Sequence, residues 1–239
     1  MSEAPRVVLL DIEGTTTPVD FVYRVLFPHA HARVGVFLEA HGSDPDVARD
    51  VTGLRDEHTR DVAAGLNPPA WESSAGGATA YARHVMDQDQ DRKLTPLKSL
   101  QGRIWAEGYA TGALRGQVYP DVPPALVRWT SAGRRVAIFS SGSVLAQKLL
   151  FAHSEHGDLT PFLSAHFDTT TGPKREAESY LRIAAALGVP ASAGLFVSDV
   201  AAELDAARLA KFETALAVRT PPGPVAPGHR RITSFDELP

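Results

Sequence analysis

The chain has 239 residues, 24 Lys and Arg against 28 Asp and Glu, and no cysteine. A formal net charge of −4 offers no basic face to a phosphate backbone, so nucleic-acid binding is not expected, and the lack of cysteine excludes disulfides, thiol catalysis and cysteine-ligated metals. No apolar run approaches the roughly 18–20 residues that span a bilayer, and Met1-Ser2-Glu3-Ala4-Pro5-Arg6 lacks the apolar stretch of a signal peptide; a cytoplasmic protein without membrane contact is expected.

The first apolar run, Val7–Leu10, is short, β-branched and without alternation, the pattern of a strand covered on both faces. From about residue 20 to about residue 118 no such run recurs, and the spacing turns helical: Phe21, Val22, Val25 and Leu26, then Val34, Phe37 and Leu38, later Leu97, Leu100, Ile104 and Trp105. A Gly/Pro/Ser-rich break at Asn67–Gly77 divides this interval in two. The strand pattern resumes at Val136–Phe139, Leu195–Val197 and Ala215–Val218. Tyr180, Ile183, Ala184 and Leu187 mark a helix between two of these runs, stopped by Gly188 and Pro190. Strand, helix and strand in that order predict an α/β fold, a Rossmann-like parallel sheet built from βαβ units. A helical cap spanning 20–118 would be inserted into a core formed by 1–19 and 119–239. Thr220–Gly228, with four prolines, reads as an extended surface segment before a short strand around Arg231–Ile232.

Three strands end in polar groups: Asp11-Ile12-Glu13-Gly14-Thr15-Thr16, Ser140-Ser141-Gly142-Ser143, and Ser198-Asp199 followed by Glu203 and Asp205. Singly, such an Asp or Ser is commonly a turn former or helix cap. Jointly they mean more, because parallel strands put their carboxyl tips along one edge, where open α/β sheets bind ligands. Asp11, Glu13 and Asp199 would then meet, and gathered carboxylates repel unless a proton or a cation sits among them. An all-oxygen, partly wet site suits Mg²⁺ better than zinc. Ser141 and Gly142, read as opening a helix, offer hydroxyl and N–H donors to an anion.

Gly172-Pro173-Lys174 also reads as a helix start, with Lys174 in a first turn whose dipole disfavours a cation by about 0.3–1 kcal/mol. A solvated surface lysine is the plain alternative; the functional one is a cation that neutralises a phosphate also held by Ser140 or Ser141. A carboxylate nucleophile, a second carboxyl two residues on as acid/base, a lysine and hydroxyl clamp and a magnesium ion together make a phosphoryl-transfer site.

In this order the four segments resemble the four motifs of the haloacid dehalogenase superfamily. Within it, the chain is similar almost throughout to the enolase-phosphatase family of methionine salvage. Asp11 to Pro18 with Phe21-Val22 and Leu26-Phe27-Pro28 carry the likeness, as do Leu100-Gln101-Gly102 with Trp105 and Gly108-Tyr109, and Ser140 to Ser143 with Ala146-Gln147-Lys148. So do Phe167-Asp168-Thr169 and Ser198-Asp199-Val200 with Glu203 to Ala207. Most of the superfamily carries Asp-x-Asp in the first motif, where this branch has Asp-x-Glu. The resemblance implies a helical cap inserted after the first motif and one Mg²⁺ per subunit. It implies enolisation of 2,3-diketo-5-methylthiopentyl-1-phosphate, a small phosphate ester, followed by dephosphorylation to the acireductone. It also implies Asp11 as nucleophile and metal ligand, Glu13 as acid/base and as a metal ligand through its carbonyl, and Asp199 as the third ligand. Ser140, Ser141 and Lys174 fall at substrate-phosphate positions, Lys98, Gln101, Trp105 and Tyr109 at positions that close over substrate or merely pack the cap, and the family suggests a monomer.

One departure stands out: Ala210-Lys211-Phe212 lies where the family usually has glycine after a helix. A left-handed helix end strains a lysine. Other patterns carry little: His29 and His31 are two apart and so point to different sides of a helix, His153 and His156 lack the zinc-protease spacing, and neither a Gly-x-Gly-x-x-Gly after the first strand nor a Walker sequence is present. A phosphatase for another small phosphomonoester stays open. So does a silent phosphate-binding module, although such a binder has no need of a carboxylate beside its anion.

Overall fold

The computed structural model describes residues 5–88, 92, 94–220 and 227–239. The chain divides into two compact units, one of Met1–Val19 with Arg115–Pro239 and one of Asp20–Leu114. In chain order the elements are β1 (Val7–Leu10), α1 (Val19–Phe21), a π-turn (Val22–Leu26), α2 (Phe27–His41), α3 (Pro45–Ala63), α4 (Ser74–Gln88) and α5 (Thr95–Ala110). They continue with α6 (Val122–Ser131), β2 (Arg135–Phe139), α7 (Val144–Ala152), β3 (Leu163–Phe167), α8 (Ala177–Ala186), β4 (Gly194–Ser198), α9 (Ala201–Leu209), β5 (Glu213–Ala217) and β6 (Arg230–Ile232).

The first unit holds a six-stranded sheet in the order β3-β2-β1-β4-β5-β6, parallel at every pairing. Val7, Leu9, Ala137, Phe139, Phe196 and Leu216 share a core with Tyr180 and Ile183 of α8 and Leu204 and Ala207 of α9. The alternate residues Val8, Leu10, Val136 and Ile138 are equally buried, which is why the central strands show no alternation. Tyr180 anchors this core, its ring within 5.6 Å of Phe139, 5.1 Å of Phe196 and 5.9 Å of Phe212, centre to centre.

β3 is the strand that the sequence reading missed. It is an edge strand, half-buried along most of its length, and Leu-Ser-Ala-His-Phe has neither the continuous apolar run of a central strand nor a strict alternation. β5 also starts earlier than expected, at Glu213, whose exposed side chain hides the strand start. β6 forms where the short terminal strand was expected. The prolines of 221–226 lie outside the described residues.

In the second unit, α2 and α3 each pack on α4 and α5. Asp44 caps α3, its carboxylate accepting from the N–H groups of Asp46 and Val47 at 2.8 and 3.4 Å, and Pro45 fills the first helical position. The break between α3 and α4 is shorter than expected, because Ser74–Gly77 already belong to α4. A buried carboxylate, Asp61, accepts two bonds of 2.6 Å from the Arg92 fork and one of 2.7 Å from the Tyr81 hydroxyl. Trp105 donates its indole N–H to the Leu26 carbonyl at 2.8 Å, at the end of the π-turn.

Candidate active site

Parallel pairing sets Leu10 level with Ile138 and Val197, so the residues that follow β1, β2 and β4 emerge on one edge of the sheet. Asp11 is fixed there by a backbone bond to Val197 O at 3.0 Å. Its carboxylate accepts from Ile12 N at 2.8 Å, Ser198 Oγ at 3.1 Å and Lys174 Nζ at 2.6 Å.

The turn after Asp11 is tight. The Ile12 carbonyl accepts from the N–H groups of Thr15, Thr16 and Thr17, and the Thr16 hydroxyl reaches back to the Asp11 carbonyl at 3.0 Å. Gly14 has φ +69°, and a Cβ there would stand 2.2 Å from Asp199 Oδ2. Only glycine lets that carboxylate come so close to the turn.

Lys174 does not lie in a helix. α8 starts three residues later, at Ala177, so the dipole argument from sequence does not apply; Lys174 sits in a turn, and the Tyr180 hydroxyl donates to its carbonyl at 2.7 Å. Its ammonium, 9% exposed, reaches Asp11 and also Glu203 Oε2 at 2.6 Å. Burial alone would lower this ammonium, but Asp11 and Glu203 outweigh it and hold it above the ordinary lysine range.

The carboxyls outnumber this cation. Asp199 is pushed up to about 7 by burial and by Asp11. Glu13 is raised by burial and then by Asp11, and Glu203 by the same two causes in the same order. Ser140 donates to Glu13 Oε2 at 3.2 Å and accepts from Gly142 N at 3.1 Å. It therefore faces the acid/base candidate, whereas no contact between Ser140 and Lys174 is seen. Ser143, not Ser141, caps α7, so Ser141 precedes the helix instead of opening it.

Glu203 is the residue whose weight the sequence understated. It stood beside Asp205 as one more acid after Asp199, but the first turn of α9 brings Glu203 back to Lys174 and to Ser198 Oγ at 3.0 Å, while Asp205 pairs with exposed Arg208. Two positions apart on one helix, the two side chains point to different sides, which is the signal that separates them.

Among the described residues no three carboxylate or imidazole groups converge on one metal position. The side chains of Asp11 and Asp199 would need a backbone donor to complete a set, and the Glu13 carbonyl belongs to the same turn. An oxygen-only donor set with carboxyls in excess of cations fits a hard dication. A cleft of about 570 Å³ between α7 and β3, lined by Leu145, Leu149, Leu163 and His166 among others, includes none of these groups. Among the described residues no helix is long and apolar enough to cross a membrane.

A parallel sheet carrying an Asp-x-Glu turn, a hydroxyl tip, a buried lysine and an acidic tip defines a hydrolase of the haloacid dehalogenase type. The profile of the haloacid dehalogenase-like hydrolases matches residues 5–211. The chain is 54% identical to enolase-phosphatase E1 of Synechococcus elongatus over 96% of each protein. It is 45% identical to that of Pseudomonas aeruginosa, over 98% of this chain and 97% of the relative, and 46% identical to that of Drosophila mojavensis, over 94% and 89%. The chain belongs to the enolase-phosphatase E1 family. Among solved structures, the UTR4 protein of Saccharomyces cerevisiae shares 33% identity at a TM-score of 0.79, over 98% of this chain and all of that one. A dehalogenase at 20% identity and a TM-score of 0.57, over 99% and 96%, shares the fold.

Proposed function

We propose that the protein enolises 2,3-diketo-5-methylthiopentyl-1-phosphate and then removes its phosphate to give the acireductone of methionine salvage. The observation that carries this reading is the Asp11–Lys174–Glu203 arrangement at the edge of the sheet, beside a Glu13 raised by burial. Full-length similarity to enolase-phosphatases supports the choice of substrate.

Asp11 attacks phosphorus, the bond to the ester oxygen breaks, and an aspartyl-phosphate forms. Lys174 draws in the phosphate and offsets its charge, with Ser140 and Ser141 as further donors to it. Glu13, whose raised affinity for a proton suits an acid, protonates the leaving oxygen. It then takes a proton from the water that hydrolyses the aspartyl-phosphate. Asp11, Asp199 and the Glu13 carbonyl would hold one Mg²⁺, which when bound supplies Lewis-acid stabilisation of the phosphoryl oxygens. The base of the enolisation is Glu13 or a residue of the helical unit, where Lys98, Gln101, Trp105 and Tyr109 are the candidates to cover the substrate. The protein acts as a cytoplasmic monomer.

An assay of the diketo phosphate with and without magnesium tests this reading. An enol absorbance that rises and fades, with phosphate released only when the metal is present, supports it. Turnover of unrelated phosphomonoesters in preference to the diketo phosphate would replace it with a general phosphatase, and an Asp11 that neither binds beryllium trifluoride nor yields an aspartyl-phosphate in a rapid quench would be removed as nucleophile.

A further inference from the structure

Arg219 lies two residues beyond β5, and its side chain is 7% exposed. Its Nε and Nη2 both donate to the Thr15 carbonyl, at 2.8 and 2.7 Å, and Nη1 donates to Asp121 Oδ2 at 2.7 Å. The guanidinium carbon stands 4.4 Å from the ring centres of both Tyr119 and Phe235. Asp121 Oδ2 also accepts from Phe235 N at 2.6 Å. Every side of this cation is thus engaged, which a buried charge requires.

Thr15 belongs to the turn that carries Glu13 and Gly14. The turn's next carbonyl, Thr16 O, is held by Tyr119 N at 2.9 Å. From these contacts we infer that Arg219 is a positioning residue: by gripping the Thr15 carbonyl it sets where the turn presents Glu13 to the substrate and Gly14 to Asp199. The planar fork is what suits it to the task. Two parallel N–H groups on one carbonyl fix direction as well as distance, and lysine cannot reproduce that while stacking between two rings.

The inference rests on Glu13 being the acid/base of the proposed reaction, and the experiment separates the two. Phosphate release and exchange of the substrate's carbon-bound proton are measured for wild type, Arg219→Lys, Arg219→Ala and Arg128→Ala, on the diketo phosphate and on p-nitrophenyl phosphate. Arg128 donates to Phe235 O at 2.7 Å and Leu238 O at 3.4 Å, so its loss loosens the same C-terminal segment without touching Thr15. Both Arg219 variants are expected to lose about 10–100-fold in kcat with KM nearly unchanged, the mark of a displaced catalytic group. Millimolar methylguanidinium should restore part of the kcat of Arg219→Ala, and Arg128→Ala should melt earlier at wild-type kcat. If Arg219→Ala does not fold, Arg219→Lys and Asp121→Asn give the same reading. A wild-type kcat in Arg219→Lys, or an equal loss in Arg128→Ala, overturns the positioning role alone. Wild-type protein that turns over neither substrate overturns the reading beneath it, and the inference with it.

Discussion

Lys174 Nζ lies 2.6 Å from Glu203 Oε2 while it holds Asp11 at the same distance, so this buried ammonium is shared between Asp11 and a second buried acid. Removing the charge of Glu203 would leave Lys174 bound to Asp11 alone and draw that carboxylate away from attack. Glu203→Gln is expected to slow phosphate release by about tenfold and to lower stability by about 1–3 kcal/mol, because Ser198 Oγ and Lys174 lose a charged partner. Malachite-green phosphate assays and urea unfolding check the two parts separately.

Asp11→Asn keeps the shape of the side chain proposed to attack phosphorus and removes its charge. Phosphate release should fall by about 10⁴-fold or more, the scale seen when a covalent nucleophile is lost. Near-wild-type turnover with magnesium would show that another group attacks. Glu13→Gln is the companion: exchange of the carbon-bound proton at the normal rate in that variant would exclude Glu13 as the enolisation base.

How far the site could be read in advance depended on whether its parts act through strand ends or through turns. Asp11, Ser140 and Asp199 follow continuous apolar runs, and a parallel sheet leaves little choice about where such residues emerge. The charge of Lys174 marks it in the sequence, but Gly172-Pro173 resembles a helix start while the chain makes one more turn before Ala177. Arg219 carried no signal at all. Its partner is a backbone carbonyl some two hundred positions away, and a main-chain acceptor leaves no trace in side-chain pattern. β3 was hidden for the opposite reason to the central strands, since an edge position lets Ser164 and His166 stand where an apolar run would have announced it.

The Asp61–Arg92–Tyr81 group predicts a pH dependence for the helical unit. Hydrogen bonding from Arg92 outweighs burial and holds the Asp61 carboxyl below its ordinary value of 3.8. A carboxyl depressed in the folded state contributes stability above its unfolded value, and that contribution is lost as pH falls through the folded value. Asp61→Asn should therefore cost about 3 kcal/mol near neutral pH, where Arg92 loses its counter-charge, and the gap to wild type should narrow below about pH 4. Urea unfolding of both proteins between pH 7 and pH 3 measures the convergence.

Tyr180→Phe isolates the support of Lys174. The ring contacts with Phe139, Phe196 and Phe212 would survive, and only the hydroxyl bond to the Lys174 carbonyl would go. A stability loss of about 1 kcal/mol is expected, together with a raised KM, because the turn that presents the ammonium is freed while Asp11 is untouched. Calorimetry and steady-state kinetics on the diketo phosphate distinguish this from a core defect, which would lower stability with KM unchanged.

Lys211 sits in a strained backbone conformation at the end of α9. α9 ends in a paired motif, with Lys211 N bonded to Arg208 O at 2.9 Å and Phe212 N to Ala207 O at 3.0 Å, and Lys211 takes φ +76°. A left-handed backbone costs a residue with a Cβ roughly 1–2 kcal/mol, while glycine in its place would return about 0.4–1 kcal/mol of that through the greater freedom of the unfolded chain. Lys211→Gly should therefore stabilise the protein by about 0.5–1 kcal/mol, a gain that thermal melting resolves. Turnover should not change, since Lys211 touches none of Asp11, Glu13, Lys174 or Asp199. A lower melting temperature in Lys211→Gly would mean that the lysine charge at the helix end outweighs the strain, and Lys211→Asn, which removes the charge but tolerates the left-handed turn, would then fall by a similar amount.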